Sequence, residues 1–226
     1  MSTIDLVCAT RMTSDEFWGR SALGLSLRRM VHDDRLKPRV FFENRRGLPA
    51  LYNERIAAAD ASPVLAFIHD DVWLDDYFFF EHVMAAVHAF DVIGVAGNKR
   101  RAPGQPSWAF PSIKFEWDER ANLSGVVSHG PSPFGQISAF GPVPAECELL
   151  DGVLLAARRD VLREKQVGFD ERFDFHFYDM DFCRSARAVG LRLATWPIAI
   201  THQSEGGFGS NAWLENYKKY IGKWGE

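Results

Sequence analysis

An α/β fold with a mostly parallel central sheet flanked by helices follows from three features of the sequence. Strand-like and helix-like segments alternate through residues 3–96, the rhythm of βαβ units. The strand segments are apolar and β-branched, as strands buried on both faces are. The greasiest of them, Val64-Leu-Ala-Phe-Ile68, breaks abruptly into His69, Asp70 and Asp71, and open α/β sheets bind ligands at the carboxyl ends of their strands. The arrangement is Rossmann-like, and 226 residues suit one domain over 1–226.

Taken in order, residues 3–9 read as the first strand. Thr13 and Glu16 have capping-box spacing, so a helix is expected from there to about residue 30. Residues 39–43 form a short second strand, and Gly47 precedes a helix over about 49–61. Residues 64–69 are the third strand. Asp75 and Asp76 are expected to cap a helix running to about residue 90, whose apolar set Phe79, Val83, Ala86, Val87 and Phe90 has helical spacing. Residues 92–96 make the fourth strand. From 97 to about 144 the rhythm fails in a stretch rich in Gly, Pro and Ser that also carries Trp108 and Trp117. So long a loop within a domain is usually functional, and this one is expected to hold short strands beside a cleft. Then come a strand over 146–157 interrupted by Asp151-Gly152, a helix over about 178–189, a strand over 191–195 and an amphipathic helix over about 211–224.

A net charge of −4 gives no general attraction to a polyanion, so no nucleic-acid partner is expected. Cys8, Cys147 and Cys183 have neither metal-type spacing nor an even count, which fits buried thiols in a reducing compartment. The first residues lack a basic region followed by a long apolar core, and no run is long enough to span a membrane. A cytoplasmic protein is expected, with peripheral membrane contact left open. The oligomeric state is not legible.

Three acidic or imidazole clusters stand at predicted element edges: His69-Asp70-Asp71, the run from Asp174 through Asp179 to Asp181, and His202 after an apolar segment. Carboxylates and an imidazole packed together repel unless a cation joins them, and hard oxygen ligands suit Mg²⁺ or Mn²⁺. Those ions in turn suit a diphosphate, whose departure develops negative charge. A carboxylate would deprotonate an incoming hydroxyl. Each cluster also has an ordinary structural explanation. Asp179 and Asp181 open a helix, where carboxylates complement the dipole, and a lone histidine such as His202 is more often structural than a ligand.

Five collinear segments make the pattern specific: Arg46-Gly-Leu-Pro-Ala-Leu-Tyr-Asn53, Phe67-Ile-His-Asp-Asp-Val72, Leu150-Asp-Gly-Val-Leu-Leu-Ala-Ala-Arg-Arg159, Gly168-Phe-Asp-Glu-Arg-Phe173 with Phe177-Tyr-Asp-Met-Asp-Phe-Cys183, and Gly190-Leu-Arg-Leu-Ala194 with His202. Together they resemble a GT-A-fold glycosyltransferase of the family 2-like type, closest to a bacterial subgroup with a His-x-Asp-Val metal motif. The resemblance implies a nucleotide-diphosphate-sugar donor, a glycan or lipid-linked acceptor hydroxyl, a divalent cation (Mn²⁺ or Mg²⁺), an inverting reaction and a role in surface polysaccharide synthesis. It makes 1–97 the nucleotide-sugar-binding half and 98–226 the acceptor-side half.

Position by position, the resemblance makes Asp179 the general base and Asp71 the principal metal ligand, with His69 and His202 nearby. Thr10, Glu43, Arg46, Asn53 and Asp70 fall on the donor side. Asp151, Gly152, Trp108 and Asp181 fall on the sugar or acceptor side. Two departures from the family pattern stand out: His69 replaces an acidic residue, and Tyr178 replaces the usual Glu before the catalytic Asp. A nucleotidyltransferase is a poor match, because Cys8-Ala-Thr-Arg-Met12 is no Gly-rich activating loop. A degenerate domain that binds a nucleotide sugar or glycan without turnover is the remaining alternative. The last helix carries Trp213, Tyr217, Tyr220 and Trp224 at spacings of three and four beside Lys218, Lys219 and Lys223. Docking on the protein's own body is expected for it ahead of a membrane surface.

Overall fold

The computed structural model describes residues 2–204 and 206–225. Its first half runs β1 (Ile4–Ala9), α1 (Ser14–Arg20), α2 (Ala22–Arg29), β2 (Leu36–Phe41), α3 (Leu48–Ala57), β3 (Val64–Ile68), β4 (Val72–Leu74), α4 (Phe79–Ala89), β5 (Val92–Gly94) and β6 (Ala96–Asn98). The second half adds β7 (Leu123–His129), β8 (Gln136–Gly141), β9 (Ala145–Cys147), β10 (Leu149–Leu150), β11 (Leu154–Arg158), α5 (Arg159–Glu164), α6 (Tyr178–Ala188), β12 (Leu193–Thr195), β13 (Ile200–His202) and α7 (Asn211–Trp224).

The central sheet has the order β2-β1-β3-β11-β5-β12-β9. β2, β1, β3, β5 and β12 point one way, and β11 and β9 oppose them. The expected mostly parallel sheet is therefore present, with an antiparallel strand inserted at its middle. All five residues of β3 are buried, each large side chain contributing about 1.5–3 kcal/mol through removal from water. A second sheet, β10-β6-β7-β13-β4 with β8 on β7, covers the carboxyl edge of the first. The residues expected as one fourth strand bend at Val95, ending β5 in the first sheet and starting β6 in the second. One continuous hydrophobic cluster runs beneath both.

Several boundaries depart from expectation for local reasons. The first helix breaks at Ser21, whose hydroxyl caps α2 by accepting from the Gly24 amide. Gly24 is required there, since a Cβ would stand 2.1 Å from the Phe17 carbonyl oxygen. Asp75 and Asp76 do not cap α4: its N-cap is Phe78, and Asp76 accepts instead from the Phe78 amide and pairs with His82. The irregular stretch contains the β7–β8 hairpin. Of the triple Phe78-Phe79-Phe80, Phe79 and Phe80 are buried and Phe78 is exposed. α7 docks on the body as expected, with Trp213 and Tyr220 buried and the Trp213 and Phe177 rings 5.0 Å apart. No helix among the described residues is long and apolar enough to cross a membrane.

Candidate active site

The loop after β3 is held by backbone bonds from three directions. The Leu23 amide donates to the Asp70 carbonyl (3.1 Å), the Gln203 amide donates to the Asp71 carbonyl (3.0 Å), and the His69 amide donates to the Val153 carbonyl (3.3 Å). An acidic turn tied this way cannot splay into solvent to relieve its own repulsion. β13 lies antiparallel on β4 with His202 opposite Val72, which brings an imidazole from far along the chain to Asp71. Donor atoms of His69, Asp71 and His202 all lie within 4.8 Å of one another. His202 Nε2 stands 3.3 Å from Asp71 Oδ1.

The electrostatics of this triad are those of a cation site. Asp71 Oδ1 is buried without a hydrogen-bond partner, an orphaned acceptor of the kind that needs an ion or donor to satisfy it. Burial alone would raise the Asp71 carboxyl, but the adjacent His202 imidazole, with His69 beside it, holds it at about 2. Burial likewise works against charge on His202, and Asp71 reverses it, leaving that imidazole above its usual range. His69 is pushed down by burial, against the pull of Asp71, so it is poised as a neutral ligand. The residues therefore fit a divalent cation.

Asp179 enters from the first turn of α6, whose N-cap Phe177 adopts a left-handed backbone with φ of 68°. Burial first, and the charge of Asp151 second, raise Asp179 to about 7. Asp151 is there because β11 runs antiparallel to β3: the turn preceding β11 lands at the carboxyl edge of β3, with Leu154 opposite Ile68. Its two oxygens take the Trp108 indole N–H (2.6 Å) and the Val153 amide (2.8 Å).

Gly152 joins the two halves of the site. Its amide donates to Asp179 Oδ2 (3.0 Å), and its carbonyl accepts from the Tyr178 hydroxyl (2.8 Å). That hydroxyl is in turn 2.9 Å from His69 Nε2. A Cβ on Gly152 would meet Tyr178 Oη at 2.4 Å and Asp179 Cβ at 2.9 Å, so only glycine permits this approach.

These groups line a cavity of about 740 Å³. His69, Asp70, Asp71, Trp108, Asp151, Gly152, Asp179 and His202, all named from the sequence, are brought together there. None of the described lining residues is Lys or Arg. Other expected residues stand apart. Thr10 is on the same carboxyl edge, next to the cavity-lining Ala9, but its hydroxyl accepts from the Met12 amide. Glu43 is exposed beyond β2, and Arg46 pairs with Glu54 at 2.9 Å. Two more are engaged by other parts of the fold. Asn53 is not free for a donor: its amide bonds both the carbonyl and the amide of Phe169, tying α3 to the segment before α6. Asp181 does not face the cavity; it is buried against Lys223 (2.7 Å) and the Trp224 indole N–H (2.9 Å), where it anchors α7.

Sequence reasoning did not single out His129, His176 or Phe175 as site residues, nor the linking role of Tyr178. His129 sits on β7 directly beside His202, and His176 and Phe175 line the cavity from the segment before α6. Their histidine and aromatic character was visible, but their convergence depends on sheet pairing. Trp117 and Phe140 stack at 5.4 Å along the same wall.

The fold is that of the GT-A glycosyltransferases. Among solved structures, a mutant of Drosophila beta-1,4-galactosyltransferase 7 in complex with manganese, UDP-Gal and xylobiose is similar, with a TM-score of 0.53 at 11% identity over 96% of this chain and 80% of that one. S. aureus TarS residues 1–349 gives 0.53 at 12% identity, covering 97% of this chain and 64% of that one. A further TarS structure gives 0.51 at 11% identity, over 97% and 39% respectively. This chain therefore spans well under half of that longer protein. No family model matches the sequence, and no curated protein matches it.

Proposed function

We propose that this protein is an inverting glycosyltransferase of the family 2-like type. It moves a sugar from a nucleotide-diphosphate donor to a hydroxyl of a glycan or lipid-linked acceptor, in surface polysaccharide synthesis on the cytoplasmic side of the membrane. One observation carries the reading: a carboxylate tuned to about 7, Asp179, opens on the same cavity as a two-imidazole, one-carboxylate cation triad. A general base works best with a pKa near the operating pH, and burial beside Asp151 supplies that tuning here. The sequence segments that resemble the family fall on these same residues, and one structural neighbour sharing the fold is a complex with manganese and UDP-Gal.

Asp179 would take the proton from the acceptor hydroxyl, held in place by the Gly152 amide. His69, Asp71 and His202 would hold the divalent cation, which stabilises the charge gathering on the departing diphosphate. With no Lys or Arg among the described cavity residues, those ligands carry that task alone. Trp108 fixes Asp151 and, with Trp117, offers aromatic faces to a sugar ring. On the donor side, Asp70 lines the cavity and would border the nucleoside.

The test is a thermal-shift panel of UDP-, GDP-, dTDP- and CMP-sugars with and without Mn²⁺, followed by transfer assays. A nucleotide-selective, metal-dependent rise that disappears in Asp71→Ala is expected. Metal-dependent donor binding without hydrolysis or transfer would favour a non-catalytic binding domain instead.

A further inference from the structure

We propose that Trp117, backed by Phe140 and extended outward by Phe115 and Phe208, is a stacking platform for an uncharged sugar of the acceptor. That sugar is the neighbour of the one whose hydroxyl faces Asp179. The proposal rests on the glycosyltransferase reading of the cavity and adds the chemical class and minimum length of its acceptor.

The irregular segment between β6 and β7 builds the platform on a fixed base. The Asp118 amide donates to the Ala109 carbonyl (2.9 Å), and the Asp118 carboxylate accepts from Asn98 Nδ2 and Arg100 Nε, both at 2.9 Å. Above that closure the chain projects aromatic rings. Phe110 is buried, whereas Trp117 is 56% exposed, Phe208 44% and Phe115 36%. The Phe110 ring is the hub, edge-on to Trp117 at 5.3 Å, to Phe208 at 5.2 Å and to Phe115 at 5.7 Å. Phe115 holds a left-handed backbone, with φ of 55°, strain that persists only where the surroundings impose it.

Trp117 stacks on Phe140 at 5.4 Å with 18° between the planes, so one indole face is covered and its exposure falls on the other. Trp108 is nearly buried and its N–H holds Asp151, which leaves Trp117 as the ring that reaches outward. A contiguous set of exposed rings on one rim marks a binding surface. Trp117 and Phe208 line the cavity, and Phe115 continues beyond it. The platform therefore runs from wall to rim, where a sugar one residue out from the reacting one would lie.

Charge selects the ligand. Asp70, Asp71, Asp151 and Asp179 line the cavity, with no Lys or Arg among the described lining residues. A uronate or phosphorylated sugar seated there meets like charge and no cationic side chain to receive it. A neutral pyranose fits instead: its C–H face lies on the indole, and its hydroxyls donate to the carboxylates.

Saturation-transfer difference NMR on the full chain with Mn²⁺ tests this with lactose, cellobiose, galactose, glucose, digalacturonic acid and dodecyl maltoside. At least one neutral disaccharide should bind about fivefold tighter than the monosaccharides, the worth of one aromatic face contact. Saturation should fall on the ring C–H protons of its outer sugar, and digalacturonic acid should bind more weakly. Trp117→Ala should abolish the disaccharide advantage and Trp117→Phe should keep most of it. Phe115→Ala, outside the cavity, repeats the test if Trp117→Ala folds poorly. Disaccharides that bind no better than monosaccharides, or an advantage that survives both alanine variants, overturn the platform. Equal binding of digalacturonic acid overturns the uncharged class. Saturation confined to the alkyl chain of dodecyl maltoside assigns the rings to a lipid and overturns the proposal too. Nucleotide-sugar melting shifts measured in parallel separate the failures: shifts retained while disaccharides fail leave the transferase reading in place, and loss of both removes it as well.

Discussion

At the amino end of the central sheet, Asp5 is fully buried and accepts from Arg55 Nε (2.6 Å), Arg39 Nε (3.3 Å), the Ser62 hydroxyl (2.8 Å) and the Ser62 amide (3.2 Å). At the carboxyl end, Asp71 keeps one oxygen buried and without a hydrogen-bond partner, and Asp179 takes a Gly152 amide and no guanidinium. Asp118 follows the first pattern, saturated by Arg100, Asn98 and Asn122. A carboxylate that only stabilises is surrounded until its capacity is filled. One that must bind a ligand or take a proton is left short of donors, and its pKa or an orphaned oxygen records the deficit.

The comparison is sharpened most by Asp179→Asn. Turnover should fall by about 10²–10⁴-fold, with cation and donor melting shifts retained; wild-type turnover in that variant would remove Asp179 from the mechanism. In the native protein, log kcat/KM should rise with pH and level off above about 7, because only the ionised carboxylate accepts a proton. The same group affects stability. A carboxyl raised in the fold favours the protonated form, so its contribution is present below the ordinary carboxylate range and is lost as pH climbs through about 7. Asp179→Asn should thus melt higher than wild type at about pH 8 and lose that advantage in acid, as differential scanning calorimetry at the two pH values would show.

Asp5→Asn is expected to act in the opposite way. It leaves Arg55 buried without its full partner and should cost about 3 kcal/mol in urea unfolding, while Mn²⁺ affinity stays unchanged. A drop in metal affinity alongside would mean the two ends of the sheet are coupled. Asp71→Asn should weaken Mn²⁺ on the order of a hundredfold, at least the upper cost of losing a mere ligand partner, with a smaller change in metal-free stability than Asp5→Asn. Calorimetric titration at matched pH reads it. The smallest effect is Asp181→Asn. Lys223 retains Asp170 at 2.8 Å, so the loss should be about 1 kcal/mol with turnover unaltered; a turnover defect would return Asp181 to the acceptor site.

Much of this was legible in the chain order of residues. The apolar run of β3 ending in His69-Asp70-Asp71, the capping box at Thr13 and the βα alternation are local patterns, written in spacing and side-chain type. Asp179 and His202 were legible only through the order of five segments, since one aspartate at a helix start is ambiguous. What misled the reading was short-range chemistry with a long-range competitor. Asp75 and Asp76 look like caps, yet Asp75 is taken by Thr201 at 2.5 Å and Asp76 by His82. Asn53 and Asp181 look like ligands, yet the segment at Phe169 and the end of α7 claim them first.

The sequence by itself determined the layered α/β class and the buried strands, because each depends on periodicity, and it placed the acidic and imidazole clusters at the edges of those elements. The tertiary structure alone decided that β11 enters antiparallel, so that Asp151 and Gly152 arrive at the carboxyl edge beside Asp179. It alone decided that β13 aligns His202 with Asp71 and His129, and that Tyr178 rather than solvent holds His69. Strand order and direction follow from the packing of the whole chain. A carboxylate becomes a base or a ligand only when that packing withholds the donors that would otherwise satisfy it.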